Sequence, residues 1–198
     1  GPYLVPRRDS GLQVAAPHMP LFIEESYTAV LRGKLSRGQL DANFIALPFT
    51  EPEVVTRPVY DEPFVVVLPQ DHPLAGDKRV DPAALAEHRV LLMGEGHCFR
   101  DQVLEACPGL NQAIQDDYAS GHAIVEGSSL ETLKHMVATG LGITVLPRSA
   151  AELASYGGKT LVVREFVEPV PTRTIAIAWR VSYPRHQAID TLAGVLQD

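Results

Sequence analysis

The chain has 198 residues, 45% of them hydrophobic, a formal net charge of −7 and two cysteines. That length holds one large domain or two small ones, and two cysteines are too few for a disulfide scaffold. The acidic balance, with no Lys/Arg run longer than "PRR" at 6–8, argues against direct nucleic-acid binding by this stretch. No segment approaches the ~18 apolar residues of a membrane span, and no leader-like N-terminus is seen, so a reducing, cytoplasmic setting is expected.

Short apolar runs rich in β-branched residues alternate with helical patterns along the chain. Strands are expected at "PLFIEE" (20–25), "ANFIALP" (42–48), "FVVVLP" (64–69), "RVLLMG" (89–94), "AIVEG" (123–127), "GITVLP" (142–147), "TLVVREF" (160–166) and "TIAIAWR" (174–180). The alternation predicts βαβ units and a mostly parallel sheet. A first helix is expected over "TAVLRGKLSRGQL", with Val30, Leu31, Leu35 and Leu40 near helical spacing and Gly33 and Gly38 as weak points. "SSLETLKHMVATG" carries the strongest helical signature. Ser128 or Ser129 serves as N-cap, Glu131 stands early, Leu130, Leu133, Met136 and Val137 share a face, and Gly140 is the stop. "RHQAIDTLAGVLQD" closes the chain with Ile189, Leu192 and Leu196 on one face. Residues 6–20 show no amphipathic stripe and are assigned no element. The Pro-rich pieces 51–63 and 167–173 have the composition of hinge strands or crossovers and bracket a central block. The expected division is 1–62 plus 172–198 as one subdomain and 63–171, with both cysteines, as the other.

The cysteines stand in "EGHCFRDQVLEAC", 95–107. A buried, inert thiol is the common state of an intracellular cysteine. A structural zinc site lacks support, because there is no CxxC and His97, His122, His135 and His186 form no ligand pattern. A third reading is redox chemistry. Gly96 can end a strand, and Cys98 then sits at the start of the helix "FRDQVLEAC", where the helix N-terminus favours a thiolate and His97 and Arg100 add to the effect. Cys107, just before "PG" where the helix must break, is a resolving thiol or a core residue. On one continuous helix the two thiols would stand roughly 13.5 Å apart on opposite faces, whereas a disulfide needs Cα atoms within about 7 Å. Joining them therefore requires the segment to unwind, which suits a conformational switch better than a static staple.

"GEGHCFRDQVLEAC", with "GSSLETLKHMVATGLGITVLP" and "PTRTIAI", closely resembles the regulatory domain of the OxyR family, the peroxide-sensing members of the LysR-type transcriptional regulators. The likeness covers nearly the whole chain. GHCxRDQ is its specific part, and SLETL with GxGITxLP is shared more widely among LysR-type effector domains. The resemblance implies an α/β, periplasmic-binding-protein-like fold of two Rossmann-like subdomains joined by crossover strands. It implies that hydrogen peroxide oxidises Cys98 to a sulfenic acid, which condenses with Cys107, and that His97, Asp101 and Arg173 surround the sensing thiol. Gly96 and Thr28 match residues of the peroxide-binding site. It further implies a homodimer of this domain, a tetramer of the full-length protein, a glutaredoxin- or thioredoxin-type reductant and a transcription activator with no cofactor or metal.

Each site residue also has a plainer role: Thr28 as a helix cap, Arg173 as an exposed rim charge, His97 as a backbone partner, and Asp101 as a first-turn acid favoured by the helix dipole. Two departures from the family pattern stand out. The DNA-binding winged helix-turn-helix and linker helix, expected to precede residue 1 and to contact promoter DNA, are not in this chain, nor is a first strand carrying another threonine of the peroxide site. Residues 6–20 also fall where the family has a more apolar helix. Three other functions fit parts of the sequence: a metabolite-sensing LysR-type domain with incidental cysteines, a thiol peroxidase, and a periplasmic solute-binding protein. The last fits the fold but not the reactive thiol.

Overall fold

The computed structural model describes residues 17–19, 22–24, 26–119, 125–151 and 160–197. Five helices lie among them: α1 (Thr28–Ser36), α2 (Cys98–Ala106), α3 (Pro108–Ala119), α4 (Leu130–Ala138) and α5 (His186–Gln197). Eight strands accompany them: β1 (Ala42–Ala46), β2 (Val54–Pro69), β3 (Arg79–Val80), β4 (Val90–Met93), β5 (Glu126–Gly127), β6 (Ile143–Pro147), β7 (Leu161–Phe166) and β8 (Thr172–Arg180). The chain divides into two compact units, one of residues 1–62 with 173–198 and one of residues 63–172.

In the first unit β1 runs antiparallel to β8, with Phe44 opposite Ile177 and Ile45 opposite Ala176, and β8 neighbours β2. The two-residue period of a strand sends alternate side chains to opposite faces. Ile45, Ala176 and Ala178 meet Leu35 of α1 on one face, while Ile177 meets Ile189, Ala193 and Leu196 of α5 on the other. Each helix thus covers one face of the same strands. The Arg180 guanidinium fastens the end of α1 by donating through Nη1 to the Leu35 and Leu40 carbonyls, each at 2.6 Å, where a helix leaves acceptors unpaired.

In the second unit Phe64 to Leu68 of β2 are at most 1% exposed. Antiparallel neighbours on both sides account for this: Val66 pairs with Val145 of β6 and with Arg164 of β7. β4 runs parallel to both β6 and β5, and β3 runs parallel to β7. Helix α4 packs on this sheet through Leu133 and Val137, at 1% and 0% exposure. Ser129 is its N-cap, accepting from the Thr132 N–H at 3.1 Å, and Gly140 ends it at φ +81°, a backbone region that glycine enters without strain.

Three expectations need correction. The sheet is mixed rather than mostly parallel, because β2 and β8 each run antiparallel to neighbours. The stretch 51–63, expected as a hinge strand or crossover, does carry the chain from one unit into the other, but it is no break between elements: residues 54–63 are the first part of the 16-residue strand β2, with Pro58 exposed and Pro63 half-buried. The described part of 20–25, Phe22 to Glu24, is neither strand nor helix, and Phe22 is 95% exposed. Residues 6–16 and the first part of the expected strand 123–127 lie outside the described residues. Strand β5 covers only Glu126–Gly127.

Candidate functional site

The local sequence builds the surroundings of Cys98 in the second unit. β4 ends at Met93, and the chain turns through Gly94–His97 with Gly96 at φ +81°, a left-handed conformation strained for any residue carrying a Cβ. The turn is pinned by the Gly94 N–H, which donates to the Gly127 carbonyl at 3.1 Å, and by the His97 N–H, which donates to the Gly94 carbonyl at 3.2 Å. His97 is the N-cap of α2: its Nδ1 accepts from the Phe99 N–H at 3.2 Å. That bond needs Nδ1 unprotonated, so the ring hydrogen of the capping tautomer sits on Nε2. Cys98 then opens α2 with its side chain exposed.

Phe99 holds this helix start against the core. It is 3% exposed and meets the Phe64 ring edge-on, with centroids 5.5 Å apart at 90°. Arg100, read from the sequence as a charge favouring the thiolate, is 6% exposed, and its Nη1 donates to the Met93 carbonyl at 3.0 Å and to Glu126 Oε1 at 2.5 Å. Asp101 is an exposed acid in the first turn of α2. Gln102, one turn beyond Cys98, has a buried Oε1 that accepts no hydrogen bond among the described residues.

Cys107 occupies the other end of the same helix. Its N–H closes α2 on the Val103 carbonyl at 2.9 Å and its own carbonyl accepts from Leu110 N–H at 3.0 Å, so it is the corner between α2 and α3. The helix breaks there as expected, but a second helix, unforeseen from the sequence, starts at Pro108. Proline suits a first helical position, where its missing N–H costs nothing. Cys107 is 1% exposed, and burial pushes its thiol up to about 11. The two cysteines are not joined in a disulfide and are separated by the length of α2, on the order of 13 Å.

Thr28 and Arg173 belong to the first unit. The N-cap of α1 is Tyr27, so Thr28 is the first helical residue rather than the cap, and it is half-buried. Arg173 is no exposed rim charge. It donates through Nε and Nη2 to Glu62 Oε2 at 2.9 and 2.7 Å, and the Glu62 side chain is only 4% exposed. One residue along each strand, the Thr174 hydroxyl bonds Asp61 at 2.6 Å. Glu62 and Glu126 carry no signal in the sequence, since each partners an arginine remote along the chain. Among the described residues no three His, Cys, Asp or Glu side chains gather as a metal site, and no helix is long and apolar enough to cross a membrane.

A thiol exposed at a histidine-capped helix start, with a second thiol buried at the far end of that helix, is set on a mixed α/β frame of two units. The family model of the LysR substrate binding domain matches residues 1–198, and the chain belongs to that family. Within it the chain is similar to OxyR proteins. The reduced form of the OxyR regulatory domain from Pseudomonas aeruginosa is 51% identical with a TM-score of 0.87, covering 100% of this chain and 92% of that one. A reduced form of OxyR from Neisseria meningitidis is 39% identical with a TM-score of 0.89, covering 100% of this chain and 89% of that one. A probable hydrogen peroxide-inducible genes activator of Mycobacterium leprae is 38% identical over 195 residues, 98% of this chain. The chain spans 60% of the length of that relative.

Proposed function

We propose that this chain is the peroxide-sensing regulatory domain of an OxyR-type transcription activator, with Cys98 as the sensing thiol and Cys107 as the resolving thiol. The observation that carries the reading is the contrast between them: Cys98 exposed at the start of α2, Cys107 1% exposed at its end.

The Cys98 thiolate attacks one oxygen of hydrogen peroxide. The O–O bond breaks, hydroxide leaves, and Cys98 carries a sulfenic acid. The Cys107 sulfur then attacks the Cys98 sulfur, forming the S–S bond and releasing water. Because α2 separates the thiols by more than disulfide reach, the second step requires α2 to unwind. His97 and Asp101 serve the thiol locally, and Gly96 gives the turn its shape. The remodelled surface changes packing between subunits, a dimer of this domain within a tetramer that binds promoter DNA through another segment, in the cytoplasm. A glutaredoxin- or thioredoxin-type dithiol resets it.

The test is one equivalent of hydrogen peroxide at neutral pH, with products mapped by non-reducing peptide mass spectrometry in the parent, Cys98→Ser and Cys107→Ser. A Cys98–Cys107 link in the parent and a sulfenic acid on Cys98 in Cys107→Ser are expected. Two unreactive thiols overturn the reading. Sustained peroxide turnover with a reductant favours a thiol peroxidase over a stoichiometric sensor.

A further inference from the structure

The start of α2 is clasped to β4, the strand that launches it, and to β5, which lies beside β4 in the sheet. Met93 and Gly127 are partners in the β4–β5 ladder, the Gly94 N–H donates to the Gly127 carbonyl, and Arg100 reaches back from α2 to the Met93 carbonyl and to Glu126 beside Gly127. The Arg100 side chain is 6% exposed and the Glu126 side chain 29%. A guanidinium so desolvated depends on its carboxylate, and charge-assisted bonds of this kind are about twice as strong as neutral ones.

The two chemical steps proposed above place different demands on this clasp. Oxygen transfer to Cys98 takes place at an exposed sulfur with α2 intact. Disulfide closure needs α2 unwound, and Arg100 then has to leave both Met93 and Glu126. We infer that Glu126, acting through Arg100, is a positioning residue that sets the rate of disulfide closure and so the lifetime of the Cys98 sulfenic acid. This rests on the peroxide-sensing reading of Cys98 and Cys107.

The experiment is quenched-flow oxidation of the chain by hydrogen peroxide. Dimedone trapping of Cys98 in the Cys107→Ser background reads the first step, and non-reducing mass spectrometry with both cysteines present reads the second. Glu126→Gln keeps the shape and removes the charge. Its closure is expected to be about tenfold faster, the kinetic equivalent of one charge-assisted bond, with trapping of the sulfenic acid unchanged and Glu126→Asp restoring part of the delay. If Glu126→Gln does not fold, Arg100→Lys gives the same comparison, because it keeps the cation and loses the guanidinium fork. Equal closure rates in parent and variant, with only the urea midpoint lowered, would make the pair merely structural and overturn the inference. A parent that forms neither product sinks the peroxide reading instead. The clasp is then read from native-state alkylation of Cys107, which Glu126→Gln must accelerate if α2 opens more readily.

Discussion

Arg173 and Glu62 stand 111 residues apart along the chain and meet through a single carboxylate oxygen, which accepts from Nε at 2.9 Å and Nη2 at 2.7 Å. Removing one member strands the other in a site where the Glu62 side chain is 4% exposed. Arg173→Met is expected to lower stability by about 3 kcal/mol, while Glu62→Met/Arg173→Met recovers most of that loss. Urea midpoints of the two single variants and the double variant measure the coupling. Additive losses would show that the two side chains are not coupled.

His97 caps α2 through its ring nitrogen rather than through a hydroxyl or carboxylate. His97→Ala is expected to cost about 1 kcal/mol, and His97→Asn, with a side-chain oxygen able to accept from the same N–H, much less. If both lose the same amount in urea unfolding, the cap is not what His97 contributes to the fold.

Cys107 ties stability to alkaline pH. Its thiol titrates near 11 in the folded chain against an ordinary value of 9.0. Between those values the unfolded chain has lost the proton and the native chain keeps it, so stability falls as pH rises. The contribution is whole below 9 and is spent by about 11, a loss on the order of 2 kcal/mol. The stability difference between the parent and Cys107→Ala, followed by urea unfolding from pH 8 to 11, is expected to shrink across that window. A constant difference would mean that Cys107 ionises as readily in the folded chain as in the unfolded one.

Gly142 leads into β6 beside the backbone of Arg89. A Cβ there would lie 2.4 Å from the Arg89 carbonyl oxygen and 3.2 Å from Leu91 Cγ. The Ile143 N–H donates to that same carbonyl at 3.0 Å, so the strand cannot move away without breaking a ladder bond. Gly142→Ala is expected to destabilise by about 2–3 kcal/mol. Gly194→Ala, on α5 with nothing within 4 Å of its added Cβ, is expected to be neutral or stabilising. Thermal melts of the two variants separate steric clash from a general intolerance of replacing glycine.

Elements whose causes are local were legible in the sequence. Ser129, Leu133, Val137 and Gly140 state the cap, face and end of α4 within twelve residues, and the apolar, β-branched runs at 42–46, 143–147 and 161–166 are strands, fully buried at 143–147 and half-buried along most of the other two. Strand direction was not legible, since "FVVVLP" reads the same beside a parallel or an antiparallel neighbour. α3 was missed because Leu110 and Ile114 are its only fully buried apolar residues with described side chains, too few for a periodic stripe, although Pro108 was a signal. At the site, Gly96 announced the end of β4 and Cys98 the start of α2, while the role of His97 as the cap was not read from the sequence. The inward course of Arg100 depends on Glu126, 26 residues on, and the pairing of Arg173 depends on Glu62 in another strand. No spacing rule reaches either.

The unequal burial of the two cysteines also makes the protein its own stopwatch. A colourless thiol reagent that releases a dye on reaction meets Cys98 at the surface, while Cys107, at 1% exposure, waits for the corner between α2 and α3 to come apart. The first burst of colour counts molecules with an unoxidised Cys98. The slow second phase times the openings of the corner, so one absorbance trace reports both the redox state of a sample and how often it visits the shape in which the thiols can meet.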